Sequence, residues 1–228
     1  MKRLLWIALP LFLFPLVAAA QDLRSGAWPD DDLIFEVIGQ VKNAGSASVQ
    51  YGYFPFINGL SLDQTFAPGG PQDERSALFT FYNEGTTLRV VAHGLWRIVT
   101  REGTSTIYYD STPNGDLTTP KPDTFRDGIP IMTSNWRHQV IFEPSPSGHF
   151  FVTFVHTITS STPVMVNGEM IRLGKAGDQY RVSLVGGPDP AGLVNGKFAG
   201  NALAMGSGKV SAHADEWPRV IAGDEKRN

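Results

Sequence analysis

Strand-length apolar segments follow one another along this chain with turn signals between them, and no segment carries an amphipathic helix period of useful length. Residues 33–41 (LIFEVIGQV) turn at Asn43-Ala44-Gly45 into residues 48–54, and residues 76–82 (SALFTFY) end at Asn83-Glu84-Gly85. Residues 87–100 then read as one long strand that Arg101-Glu102-Gly103 returns into residues 104–110. Residues 135–143 and 149–160 flank a Pro/Ser/Gly turn, and Asn167-Gly168 is the strongest short hairpin signal. Residues 179–185 add a strand, and residues 197–204 are placed to close the sheet.

A long meander leaves strand edges that invite pairing with other chains, and curling into a barrel removes them. The expectation is an all-β fold, an antiparallel meander closing into a single β-barrel of about eight to ten strands. A two-sheet β-sandwich is the alternative. The 24 glycines and 16 prolines suit the turns, and 14 Phe, 6 Tyr and 5 Trp suit an aromatic core.

The first twenty residues read as an export signal. Lys2 and Arg3 precede an apolar stretch over residues 4–17, and Ala18-Ala19-Ala20 offers a small-residue cleavage site. As a membrane anchor the segment is short of the roughly 20 residues a spanning helix needs, and Pro10 and Pro15 interrupt it. The expected organisation is a signal peptide over residues 1–20, one barrel domain over residues 21–210, and a polar tail over residues 211–228. The expected location is exported, periplasmic or secreted, with no membrane span after cleavage. Nucleotide cofactors are not dependable supplies there, so no cofactor is expected.

Losing Lys2 and Arg3 takes the formal net charge from −3 to −5. A mildly acidic chain without a basic run is a poor match for a phosphate backbone, so no nucleic-acid partner is expected. Arg89, Arg97 and Arg101 are the nearest approach to a basic cluster and read as ordinary strand surface. The absence of cysteine excludes a disulfide framework, a thiol nucleophile and thiolate metal sites.

Strand alternation selects the candidate site residues. His138 alternates with Trp136, Val140 and Phe142, and His156 with Phe150, Val152, Phe154 and Ile158, which puts both rings on an apolar face. Glu36 shares a face with Ile34 and Ile38. Glu36, His138 and His156 are therefore the candidates for moving a proton, against the plainer reading of core histidines and an exposed glutamate. Tyr51, Tyr53 and Trp136 are the candidate ligand contacts, against plain core packing.

A long loop from Ser111 to Pro130 is expected near the barrel mouth. Asp110, Asn114 and Asp116 there are candidate calcium ligands, with Lys121 standing where an EF-hand's bidentate glutamate belongs. No Gly-x-Ser-x-Gly elbow, His-Glu-x-x-His pair or P-loop occurs.

Three functional readings follow. The first is a barrel that binds a small hydrophobic or aromatic molecule in its interior. The second is a cofactor-free isomerase or cyclase, similar in architecture alone to allene-oxide-cyclase-like or dirigent-like barrels. The third is a non-catalytic module of the cell surface.

Overall fold

The computed structural model describes residues 24–25, 32–145 and 148–207. The expected signal segment and polar tail lie outside the described residues. In chain order the strands are β1 (Arg24–Ser25), β2 (Leu33–Ala44), β3 (Ala47–Ile57), β4 (Phe79–His93), β5 (Trp96–Tyr109) and β6 (Ile129–Phe142). They continue as β7 (Phe150–Ser161), β8 (Val164–Val166), β9 (Glu169–Arg172), β10 (Asp178–Gly187) and β11 (Gly196–Ser207). A four-residue helix, α1 (Leu62–Thr65), and a 3-10 turn over Pro122–Phe125 are the helical elements among the described residues.

Strands β2 to β7, β10 and β11 form a closed antiparallel barrel of eight strands. Sequential neighbours pair, β7 skips the β8–β9 hairpin to pair with β10, and β11 pairs with β2 to close the ring. The expected all-β barrel is thus the observed one, and the sandwich is not.

Alternation explains the interior. On β6 Ser134, Trp136, His138 and Val140 are buried while Asn135, Arg137 and Gln139 are exposed. On β7 Val152, Phe154 and His156 are buried between exposed Phe151, Thr153 and Val155. The main core gathers Phe35, Phe54, Phe79, Phe81, Phe154 and Phe198 inside the barrel. Burying one such ring stabilises the fold by about 1.5–3 kcal/mol.

The two ends of the barrel differ. At the end where β7 finishes, the β8–β9 hairpin inserts Val166, Ile171 and Leu173 into the main core. Asn167 (φ 49°) and Gly168 (φ 86°) make its turn, as the Asn-Gly signal implied. Asn167 Nδ2 donates to the Asp63 carbonyl at 2.6 Å, tying the hairpin to α1. The opposite end, bounded by the β2–β3, β6–β7 and β10–β11 connections, is open.

Two expectations about turns are corrected. Strand β4 runs straight through Asn83-Glu84-Gly85, and the return into β5 comes at Gly94, in the left-handed region (φ 57°). Neither Gly85 nor Gly103 is a turn. They pair with each other across β4 and β5 and form a recess for the Trp136 indole. A Cβ on Gly103 would lie 1.9 Å from the Glu84 carbonyl oxygen and 2.6 Å from Trp136 Cζ2.

The long loop between β5 and β6 is corrected too. It leaves the plugged end, away from the open mouth, and covers the outer wall of β2 to β4. Gln40 Nε2 donates to the Leu117 carbonyl at 2.7 Å, and Thr80 Oγ1 to the Phe125 carbonyl at 3.0 Å.

Because backbone oxygen and an aromatic ring both crowd Gly103, Gly103→Ala is expected to destabilise the protein by about 2 kcal/mol through overpacking. Equilibrium denaturation measures this; an unchanged midpoint would mean that Trp136 is not locked in the Gly85–Gly103 recess.

Candidate functional site

The open half of the barrel holds a cavity of about 550 Å³. Its walls come from β2, β3, β5, β6, β7 and β11, and its mouth from the connections that carry Pro144, Ser145, Gly148 and Pro188. Asn195 holds the mouth in shape. Its Oδ1 accepts from the Asn43 amide at 2.6 Å, and its own amide donates to the Val41 carbonyl at 2.9 Å. Asp189 fixes the same connection, accepting the Leu193 amide at 3.0 Å and pairing with Lys197 at 3.1 Å.

Strand register orders the wall into layers. Nearest the mouth Phe142 pairs with Phe150; below them Val99, Val140 and Val152 stand side by side. The next layer is Arg101, His138 and Phe154. Deeper still, Gln50, Asn83, Ser105 and Ser134 occupy one register row across β3 to β6, all four buried. Along β5 to β7 the cavity wall is therefore apolar toward the mouth with Arg101 and His138 below, and Asn43, Gln50 and Asn195 add polar groups elsewhere in the lining. A smaller void of about 30 Å³ lies deeper, with Phe154 and Phe198 lining both.

The inner groups form two sets. Arg101 is half-buried, donates through Nε to Thr87 Oγ1 at 3.0 Å, and meets His138 Nε2 with Nη1 at 3.4 Å. With arginine donating there, the neutral His138 ring carries its proton on Nδ1. Among the described residues that nitrogen has no hydrogen-bond partner, nor do Trp136 Nε1, Gln50 Oε1 and Asn83 Oδ1. In the second set His156 Nδ1 lies 3.0 Å from Ser134 Oγ, which is 3.3 Å from the Tyr180 hydroxyl. The His156 ring stacks on Tyr180 at 4.4 Å and 11°.

Burial governs the titration of these groups. Desolvation pushes His138 down to about 3, helped by the Arg101 charge and by His156. Desolvation alone pushes His156 down to about 3. It raises Tyr180 above the usual phenol range, against the Ser134 hydrogen bond, and lowers Arg101. Both imidazoles are neutral at physiological pH, and among the described residues Arg101 is the one cation in the cavity wall.

The residues singled out from the sequence fall in different places. Trp136, His138 and His156 face the barrel interior. Of these, His138 lines the large cavity, Trp136 packs 4.8 Å from it by ring centroid, and His156 borders the small void. Glu36 is exposed on the outer face of β2, on the other side of the barrel wall from both histidines. The three proton-transfer candidates are not brought together.

Tyr51 and Tyr53 are buried outside the barrel wall, beneath the loops. Tyr51 packs on Phe125 at 5.3 Å and donates to Gln40 Oε1 at 3.0 Å, and burial beside Tyr82 pushes its phenol up to about 12. Tyr53 packs against Phe66 at 6.5 Å. Neither lines the cavity.

The calcium candidates are engaged with loop atoms. Asp110 accepts the Thr112 amide at 2.9 Å, and Asn114 donates to Asp127 at 2.9 Å. Asp116 caps Thr118 and Thr119 and meets Lys121 Nζ at 3.3 Å. Among the described residues no group of three or more His, Asp or Glu side chains is arranged to hold a metal ion.

Sequence reasoning missed Arg101, Gln50 and the mouth asparagines. The signal for Arg101 was present: Val99, Arg101, Gly103, Ser105 and Ile107 alternate once the hairpin turn is placed at Gly94. Comparison with protein-family models, curated proteins and solved structures finds no match for this chain.

Both buried histidines hold protons less readily folded than unfolded. Below pH 6.5 the unfolded chain takes up more protons, so the stability that neutral burial permits is present above that pH and lost toward pH 3. Denaturation midpoints across pH 4 to 6 are expected to be flatter in His156→Phe, by up to roughly 1.4 kcal/mol per pH unit. An unaltered slope would mean that His156 is protonated within the fold.

Proposed function

We propose that this chain is an exported protein that binds a small hydrophobic or aromatic molecule inside its barrel. The observation that carries the reading is the cavity of about 550 Å³. Ligand pockets commonly span roughly 300–1,000 Å³, with apolar walls and a few placed polar groups. The cavity has that composition: valine and phenylalanine make most of its wall, with Arg101, His138 and Gln50 among its few polar groups. The Asn43–Asn195 and Asp189 contacts keep the mouth open and ordered, which limits the entropy lost on binding.

Export rests on the basic and apolar start of the chain and the alanines at 18–20. A water-facing barrel is supported by the direction of its alternation. Polar Asn135, Arg137, Gln139, Arg181, Ser183 and Asn201 are exposed on the outer wall among apolar Phe151, Val155, Val185 and Leu203, while the interior is mainly apolar. A transmembrane barrel carries a continuous apolar outer band and a polar interior, and these polar side chains interrupt such a band.

The isomerase reading has less support. Glu36 faces outward, and an imidazole held near 3 is a weak base at neutral pH.

The test is titration with the neutral fluorophore N-phenyl-1-naphthylamine. Saturable binding with enhanced emission is expected, and Val140→Trp, which fills the cavity, is expected to weaken it about tenfold or more while the protein stays folded by circular dichroism. Absence of saturable binding, or equal binding by a folded Val140→Trp protein, would overturn the reading.

A further inference from the structure

We propose that the molecule held in this cavity is an amphipathic monocarboxylate, with its carboxylate on the Arg101 guanidinium and its apolar part running past the valine layer toward the mouth. This rests on the reading of the cavity as a ligand site.

The cavity wall carries an uncompensated charge. Among the described residues no carboxylate lies within ion-pair distance of Arg101. Its sequence neighbour Glu102 points outward and pairs with Arg137 at 3.7 Å. Thr87 and His138 take one donor each, and both are neutral partners. A guanidinium has five N–H donors, so three remain for another partner. A charge this far out of bulk water is costly unless it meets an opposite charge, and the depression of Arg101 by burial reflects that cost.

Charge counting then sets the class of ligand. The titratable groups facing the cavity are Arg101, His138 and Glu143. His138 is neutral, and Glu143 is exposed on the connection after β6, five residues beyond His138 in the direction of the mouth. The inner end therefore offers one positive charge, which matches one carboxylate and leaves a dianionic phosphate half-compensated. The planar fork of arginine donors also suits a carboxylate's two oxygens.

Geometry sets the rest of the molecule. Between Arg101 and the solvent stand Val99, Val140 and Val152, then Phe142 and Phe150. A head group at Arg101 places the attached carbon chain along this apolar collar. A fully polar acid would leave the collar wet, and a neutral hydrocarbon would leave the guanidinium desolvated and unpaired.

The test displaces N-phenyl-1-naphthylamine with dodecanoate or with 1-dodecanol at pH 8, below the concentrations at which either aggregates. Dodecanoate is expected to compete about tenfold or more better than dodecanol. Arg101→Met is expected to remove that preference, read as the ratio of dodecanoate to dodecanol competition within each protein, and Arg101→Lys to retain part of it. Equal competition by acid and alcohol in the unmodified protein overturns the proposal, and that comparison needs no variant to fold. So does a preference that survives in folded Arg101→Met, or displacement by neither compound. A protein that never binds the fluorophore fails the cavity reading itself, a distinguishable result.

Discussion

Closure of the ring by β11 on β2 is the constraint on which the rest depends. Eight strands closed by hydrogen bonds enclose an interior of nearly fixed width, just wide enough for side chains to fill it or for one small ligand to be held. What the chain places inward then decides which outcome each half takes. Toward the plugged end the inward residues are phenylalanines, joined by Val166, Ile171 and Leu173 from the β8–β9 hairpin. Toward the mouth Val99, Val140 and Val152 stand in one layer, and the space they border together with Phe142, Phe150 and Phe198 is left unfilled. The plugged half is filled by the chain's own side chains, and the open half holds the cavity.

Burial within the ring also sorts the ionisable groups. An imidazole can respond to desolvation by staying neutral, and both interior histidines do so, one beside Ser134 and one beside Arg101. Arginine has no such recourse, since it stays protonated at any accessible pH. One wall of the cavity therefore retains a charge that its neutral neighbours orient without neutralising. The asymmetry between neutral histidines and a charged arginine gives the interior its chemical character.

The fold was largely legible in the sequence, because alternation and tight turns act locally. Residues 135–143 and 149–160 became β6 and β7 with the inward sets that alternation implied, and Asn167-Gly168 made its hairpin. The misplacement of β4 and β5 has a specific cause. Asn83-Glu84-Gly85 carries turn chemistry, yet Gly85 lacks a side chain because Trp136, more than fifty residues away, needs the space. A glycine serving a distant ring and a glycine making a turn look the same in one dimension.

The site was less legible for a related reason. Strand β3 is buried on both faces, one by the barrel interior and one by the loop carrying Leu117 and Phe125. Its aromatic residues gave no indication of which side faced inward, and Tyr51 and Tyr53 lie on the outer one. Arg101 was hidden by the misplaced turn, which put it at the end of a strand rather than within the alternation of β5. A ligand-binding barrel isolated intact carries its occupant with it. Native mass spectrometry of protein purified gently from its own source, compared with the denatured chain, measures this. A reproducible excess mass lost on denaturation, recovered as an organic acid in the extract, is the expected result. A chain that carries no excess mass, and takes up no organic acid when supplied with one, would contradict it.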